Sequence, residues 1–140
     1  MGKINFGRVI LGGLLAGLIL NIGEFLYNGV LLADEMKAFN AQHNFAEPGT
    51  SFLVIVTVLT FVLGIVMVLS YACIRPRFGP GVKTAIIASL FPWFFLCLYM
   101  GYFFVAIFGM PTRTYVISSV WGLVEYAVAT VAGAWLYKEA

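Results

Sequence analysis

Two acidic side chains stand inside apolar runs: Glu24 in Asn21-Ile-Gly-Glu24-Phe-Leu-Tyr-Asn28, and Glu125 in Trp121-Gly-Leu-Val-Glu125-Tyr126. Placing a carboxylate in hydrocarbon costs on the order of 2.5–3.5 kcal/mol on insertion scales, so such a group normally faces protein or a watered cavity. Intramembrane acids commonly handle protons, cations or ligands. Asn21 and Asn28 flank Glu24 by about one helical turn on either side, placed to donate to whichever carboxylate oxygen carries charge. If the two acids lie within hydrogen-bonding range in a low-dielectric layer, both cannot ionise cheaply, and they are expected to share a proton as a coupled dyad.

Other reactive residues point to less. His43 and Glu47 have the i, i+4 spacing of metal ligands, but Pro48 disfavours helix at Glu47 and no third ligand is in sight, so no metal site is expected. Cys73 and Cys97, the two cysteines, fall at different heights in different apolar runs and are expected as small buried hydrophobes without a disulfide. No Ser/His/Asp arrangement, HExxH, CxxC or phosphate-cradling glycine loop occurs. Paired carboxylates serve glycosidases, yet Phe, Leu and Tyr neighbours in a membrane give no sugar-binding cue. No cofactor is expected, and an intramembrane enzyme is the third of three functional readings.

The elements that must position these acids follow from composition. With 62% hydrophobic and 10% charged residues and a mean hydropathy of +1.00, the chain cannot be a soluble domain, which carries about 25% charged residues. Its 140 residues accommodate four spans of roughly 20 residues each. The expectation is an all-α membrane protein, a single four-helix transmembrane bundle over residues 1–140, with spans at about 9–32, 52–72, 83–108 and 115–137. An outer interfacial segment occupies 33–50, and an inner turn occupies 74–82. The run after Lys3 and Arg8 outlasts a signal-peptide h-region and is expected as a retained signal-anchor span.

In the first span Gly13, Gly17, Asn21, Glu24 and Asn28 share one helix face; in the fourth, Ser118, Gly122, Glu125, Ala129 and Ala132 do the same. Small residues let helices approach closely, so Gly13, Gly17 and Gly122 are expected as packing positions and the two faces as mutual partners. The second span, with few polar positions, is expected largely to face lipid. It should stop at Arg75-Pro-Arg-Phe-Gly-Pro-Gly81. Pro92 should bend the third. Ala33 to Thr50 should begin as a short amphipathic helix lying at the interface and ending before Pro48-Gly49.

Lys3, Arg8, Arg75, Arg77, Lys83 and Lys138 fall on one side of this topology and only Lys37 and Arg113 on the other, which predicts cytoplasmic termini. Counting about 1.5 Å per residue from position 32 back to Glu24, and from 115 forward to Glu125, puts the acids roughly 12 and 15 Å below the outer surface. The same count brings Thr57, Thr60, Tyr99 and Tyr102 to neighbouring levels, and Tyr126 follows Glu125. Glu24, Glu125, Asn21, Asn28, Thr60, Tyr99, Tyr102 and Tyr126 are therefore the expected ligand- or proton-binding set.

Leu11-Gly-Gly-Leu-Leu-Ala-Gly17, Asn21-Ile-Gly-Glu24, Ile74-Arg-Pro-Arg-Phe-Gly-Pro-Gly81, Trp121-Gly-Leu-Val-Glu125 and Ala132-Gly-Ala-Trp-Leu136 together resemble a group of small bacterial four-span proteins of unknown function. That resemblance implies the four-helix fold and a multi-pass place in the bacterial cytoplasmic, or inner, membrane. It implies no activity. The leading functional expectation is a proton-, cation- or small-ligand-binding component related to transport, with the carboxylate pair lining an outward-facing polar pocket. The second is a non-catalytic accessory or assembly subunit in which the carboxyls are packing glue. Expected partners are the lipid bilayer and a homo-oligomer or larger membrane complex; nucleic acid is excluded, since the basic residues lack aromatic interleaving.

Overall fold

The computed structural model describes residues 3–139, and among these every regular element is helical. Helix α1 spans Phe6–Leu26 and runs on through π turns at Tyr27–Leu31; α2 is Ala33–Gln42; α3 is Thr50–Phe78. The third long rod is built from α4 (Val82–Trp93), π turns at Phe94–Tyr99 and α5 (Met100–Phe108), and α6 is Thr112–Leu136. Four rods are thus long and apolar enough to cross a membrane: Phe6–Leu31, Thr50–Phe78, Val82–Phe108 and Thr112–Leu136.

Local chemistry sets most of the boundaries. Asn5 caps α1 by accepting the Arg8 N–H at 3.1 Å, so the helix begins earlier than residue 9. Contrary to the expected stop at Arg75, α3 continues through Pro76 to Phe78. Near a helix end Pro76 removes one intrahelical bond, while Arg75 lies 3.4 Å from Glu139 and over the Tyr137 ring. The chain turns only at Gly79, whose φ of 80° favours glycine. Helix α2 ends at Gln42, six residues before Pro48, where His43 Nδ1 meets the Phe39 carbonyl at 2.8 Å and its ring stacks against Phe45.

Packing concentrates at the end that carries both termini. There α1 lies against α3 and α6, α4 touches the same two helices, and α3 also meets α6. Val9, Ala16, Leu20, Met67, Val68, Tyr71, Ala85, Ala88 and Ala129 form the core. The expected contact between the first and fourth spans is present, but Gly13 and Gly17 do not make it. Both face α3 instead, against Ile65 and Phe61, while Gly64 of α3 presses on the Gly13 carbonyl and the Gly17 backbone. The α1–α6 crossing runs one position to the side, through Gly12, Ala16 and Gly133. Two close approaches on one helix need two small-residue stripes, and these interleave.

The opposite end is looser. Residues 52–56, 58 and 59 of α3 are all exposed, and neither the Phe94–Tyr99 turns nor α5 contributes a buried residue. No part of the third rod closely approaches the α1 backbone.

A side chain added at Gly64 would strike backbone, which cannot yield as a flexible side chain does. Gly64→Val is therefore expected to cost about 1–3 kcal/mol or more in detergent-unfolding experiments followed by circular dichroism. Gly49→Ala, in open space, should stay within about 0.5 kcal/mol. Equal losses in the two variants would contradict this packing.

Candidate functional site

Between the first and third rods, which nowhere approach closely by backbone, a cavity of about 360 Å³ forms beside α6. The end of the first rod supplies Glu24, Tyr27 and Asn28; the third rod supplies Leu96, Cys97, Gly101 and Phe104. Helix α6 forms the remaining wall with Tyr115, Ser118, Trp121, Gly122 and Tyr126, while Met36 and Met110 close the end near α2. Above them, a second cavity of about 340 Å³ uses the same two methionines together with Glu35, Arg113 and Thr114. Thr114 donates to Glu35 at 2.9 Å and Arg113 lies 3.5 Å from the same carboxylate. That group ties α2 to the start of α6.

The wall is held by a few short bonds. Asn28 Nδ2 donates to Glu24 Oε2 at 2.6 Å, one turn along the same rod. The Tyr27 and Ser118 hydroxyls are 2.5 Å apart, bridging the first rod to α6, and the Tyr27 ring stacks on Trp121 with centroids 5.4 Å apart. Tyr115 donates to the Leu98 carbonyl at 3.2 Å, and Trp93 Nε1 donates to the Ser119 carbonyl at 2.8 Å, fastening the third rod to α6. Gly122 is required by close approach: a methyl group there would meet the Cys97 sulfur at 2.5 Å.

The two acids are near enough for their charges to repel, but they occupy different surroundings. Glu24 is half-buried on the cavity wall. Glu125 is 7% exposed, and its carboxylate fits over Gly23 of α1, where even a methyl group would overlap it. It does not line the cavity, so the expected pocket with both carboxyls on its wall is corrected to one acid on the wall and one behind it. Neither Glu125 oxygen has a hydrogen-bond partner among the described residues. Trp121 Nε1, one turn earlier on α6 and also buried, is close but outside bonding geometry.

Of the other expected residues, Asn28 and Tyr126 reach the cavity. Asn21 turns away, donating to the Gly17 carbonyl at 2.9 Å and to the Thr57 carbonyl of α3 at 3.4 Å. Thr60 spends its hydroxyl on the Val56 carbonyl. Tyr99 and Tyr102 are 53% and 61% exposed and lie outside the cavity. They were expected from depth alone, and a rise of about 1.5 Å per residue does not say which face of the rod a side chain takes. Tyr27, Trp121 and Ser118 were not in the expected set. Tyr27 lies three residues after Glu24 and Trp121 four before Glu125, a spacing that puts each on its acid's own face.

Comparison with known proteins returns no matching family model, no matching curated protein and no matching solved structure.

A buried polar group without a partner costs about 1–3 kcal/mol. Glu125→Met, which fills similar space without polar oxygens, is expected to raise stability by about that amount in the same unfolding assay. A loss of stability instead would mean that the carboxyl serves as packing glue.

Proposed function

We propose that this chain is a multi-pass protein of the bacterial inner membrane, of the small four-span kind it resembles, with both termini cytoplasmic. It binds a proton or cation at Glu24 as a component related to transport. The orientation is supported by the terminal end of the bundle, where Arg75 meets Glu139, and by the sequence, which places Lys3, Arg8, Arg77, Lys83 and Lys138 near the same end. On this orientation the α2 end and the cavity belong to the outer half of the membrane.

One observation carries the functional reading: among the described residues Glu24 is the one charged side chain on the cavity wall, with the buried carboxyl of Glu125 packed against Gly23, the residue before Glu24. A carboxyl on a cavity wall can take up a proton or face a cation, and the second acid nearby makes the charge on Glu24 sensitive to what occupies the cavity. No pore runs within the single bundle on this reading, because side chains fill its terminal half.

Trp121, on the cavity wall and stacked on Tyr27, serves as a reporter. In lipid nanodiscs, its emission, isolated by subtracting a Trp121→Phe variant, is expected to change on titration with protons or with sodium. Glu24→Gln should abolish the change while leaving the helical circular dichroism intact. An identical response in wild type and Glu24→Gln would remove the cavity from the account. It would favour the accessory-subunit reading, to which the exposed stretch 52–59 of α3 would then offer a docking face.

A further inference from the structure

The cavity wall is more selective than a site for any cation. Glu24 is the one charged side chain that lines it among the described residues, and the same wall carries the aromatic residues Tyr27, Phe104, Tyr115, Trp121 and Tyr126. Most of the polar atoms on this wall are already engaged. The Tyr27 and Ser118 hydroxyls bond each other, the Tyr115 hydroxyl is committed to Leu98, and the Asn28 amide is committed to Glu24. Calcium takes six to eight oxygen ligands, and magnesium is about as demanding in geometry. Among the described residues no group of three or more His, Cys, Asp or Glu side chains is placed to hold a metal.

What the wall leaves free is one carboxylate, several aromatic faces and the apolar surface of Leu96, Met36 and Met110. Aromatic faces attract ammonium groups, most strongly when water is excluded, and a thioether-rich surface adapts to varied apolar shapes. The volume, about 360 Å³, falls within the roughly 300–1,000 Å³ of small-molecule sites and far exceeds the needs of a bare ion. The first and third rods make no close backbone approach, and Leu96 and Phe104, which line the cavity, are 44% and 40% exposed, so this wall is reached from the flank of the third rod.

We propose that the cavity binds an alkylammonium group carrying an apolar body, admitted sideways from the lipid between the first and third rods. Its charge is set against Glu24 and the aromatic lining of the wall. This rests on the reading of Glu24 as a cation site and narrows the ligand class. Binding needs Glu24 ionised, so protons compete, and affinity should fall as pH is lowered. Glu125, facing Glu24 from α6, and Glu35, bonded to Thr114 above Met36 and Met110, are the acids beside it, while Arg113 is paired with Glu35. The ammonium could belong to a free organic cation or to an ethanolamine lipid headgroup, and the chemistry recognised is the same.

The test uses the full chain in phosphatidylglycerol nanodiscs, titrated calorimetrically against protein-free discs. The probes are benzyltrimethylammonium, its uncharged isostere neopentylbenzene, and sodium chloride. Saturable binding of the ammonium is expected, with the isostere at least roughly tenfold weaker and Glu24→Gln weakening the ammonium by a similar factor. Proton competition in the wild-type protein provides the same check without any variant. Adding phosphatidylethanolamine separates the two sources: competition assigns the headgroup, and its absence assigns a free cation. Equal affinity for the isostere would overturn the proposal by showing a merely apolar pocket. Glu24-dependent sodium binding without ammonium binding would overturn the ligand class and leave the cation site standing; silence to sodium, protons and ammonium alike would remove both.

Discussion

Backbone contact between α1 and its two neighbours is the constraint on which the rest of the molecule depends. Between helices in lipid there is no hydrophobic drive, so close packing of small residues and interhelical polar contacts must hold them. Here α1 meets α3 at Gly13, Gly17 and Gly64, and meets α6 at Gly12, Ala16 and Gly133, close enough that any added Cβ at these glycines would collide. These contacts lie in the terminal half of the bundle. Toward the α2 end the third rod loses α3, which it touches through α4 only, and keeps contact with α6 alone. The bundle therefore has a tight half and a parted half, and the cavity lies in the parted one.

That division also explains how the two acids diverge. Glu125 projects from α6 toward α1 at Gly23, the last small residue before α1 carries bulkier groups, and is sealed there. One position further on, Glu24 sits where the rods have separated, and it reaches the cavity with Asn28 at its side. Close-packed helices thus hold one carboxyl in an unbonded state while a neighbouring carboxyl stays accessible. Tyr27 completes the arrangement by joining the first rod to α6 through both its hydroxyl and its ring. The aromatic wall near Glu24 is fixed by the bonds that keep the parted half from opening further.

Much of this was legible in the sequence. Four apolar runs gave four rods, and a carboxylate inside an apolar run is conspicuous because hydrocarbon tolerates few of them. Gly13, Gly17 and Gly122 were recognisable as packing positions, but a glycine stripe names no partner. Two interleaved stripes, Gly13/Gly17 and Gly12/Ala16, could be told apart only once the helices were placed. Tyr99 and Tyr102 match the acids in depth on a count of about 1.5 Å per residue, but depth does not fix the face, and both stand exposed outside the cavity. Pro76 signalled a stop and did not enforce one, because a single lost bond near a helix end can be offset by the contacts of Arg75. Helical spacing from the acids would have found Tyr27 and Trp121.

The central claim is that one acid lines a cavity, which the proposed function opens toward lipid, while its neighbour is sealed against Gly23. Lipophilic carbodiimides reach protonated carboxyls from the hydrocarbon phase, so labelling with dicyclohexylcarbodiimide followed by peptide mass spectrometry reads this arrangement residue by residue. The account predicts an adduct on Glu24 and none on Glu125 under the same exposure. An adduct on Glu125 with Glu24 unmodified, or no adduct on either residue, would contradict it.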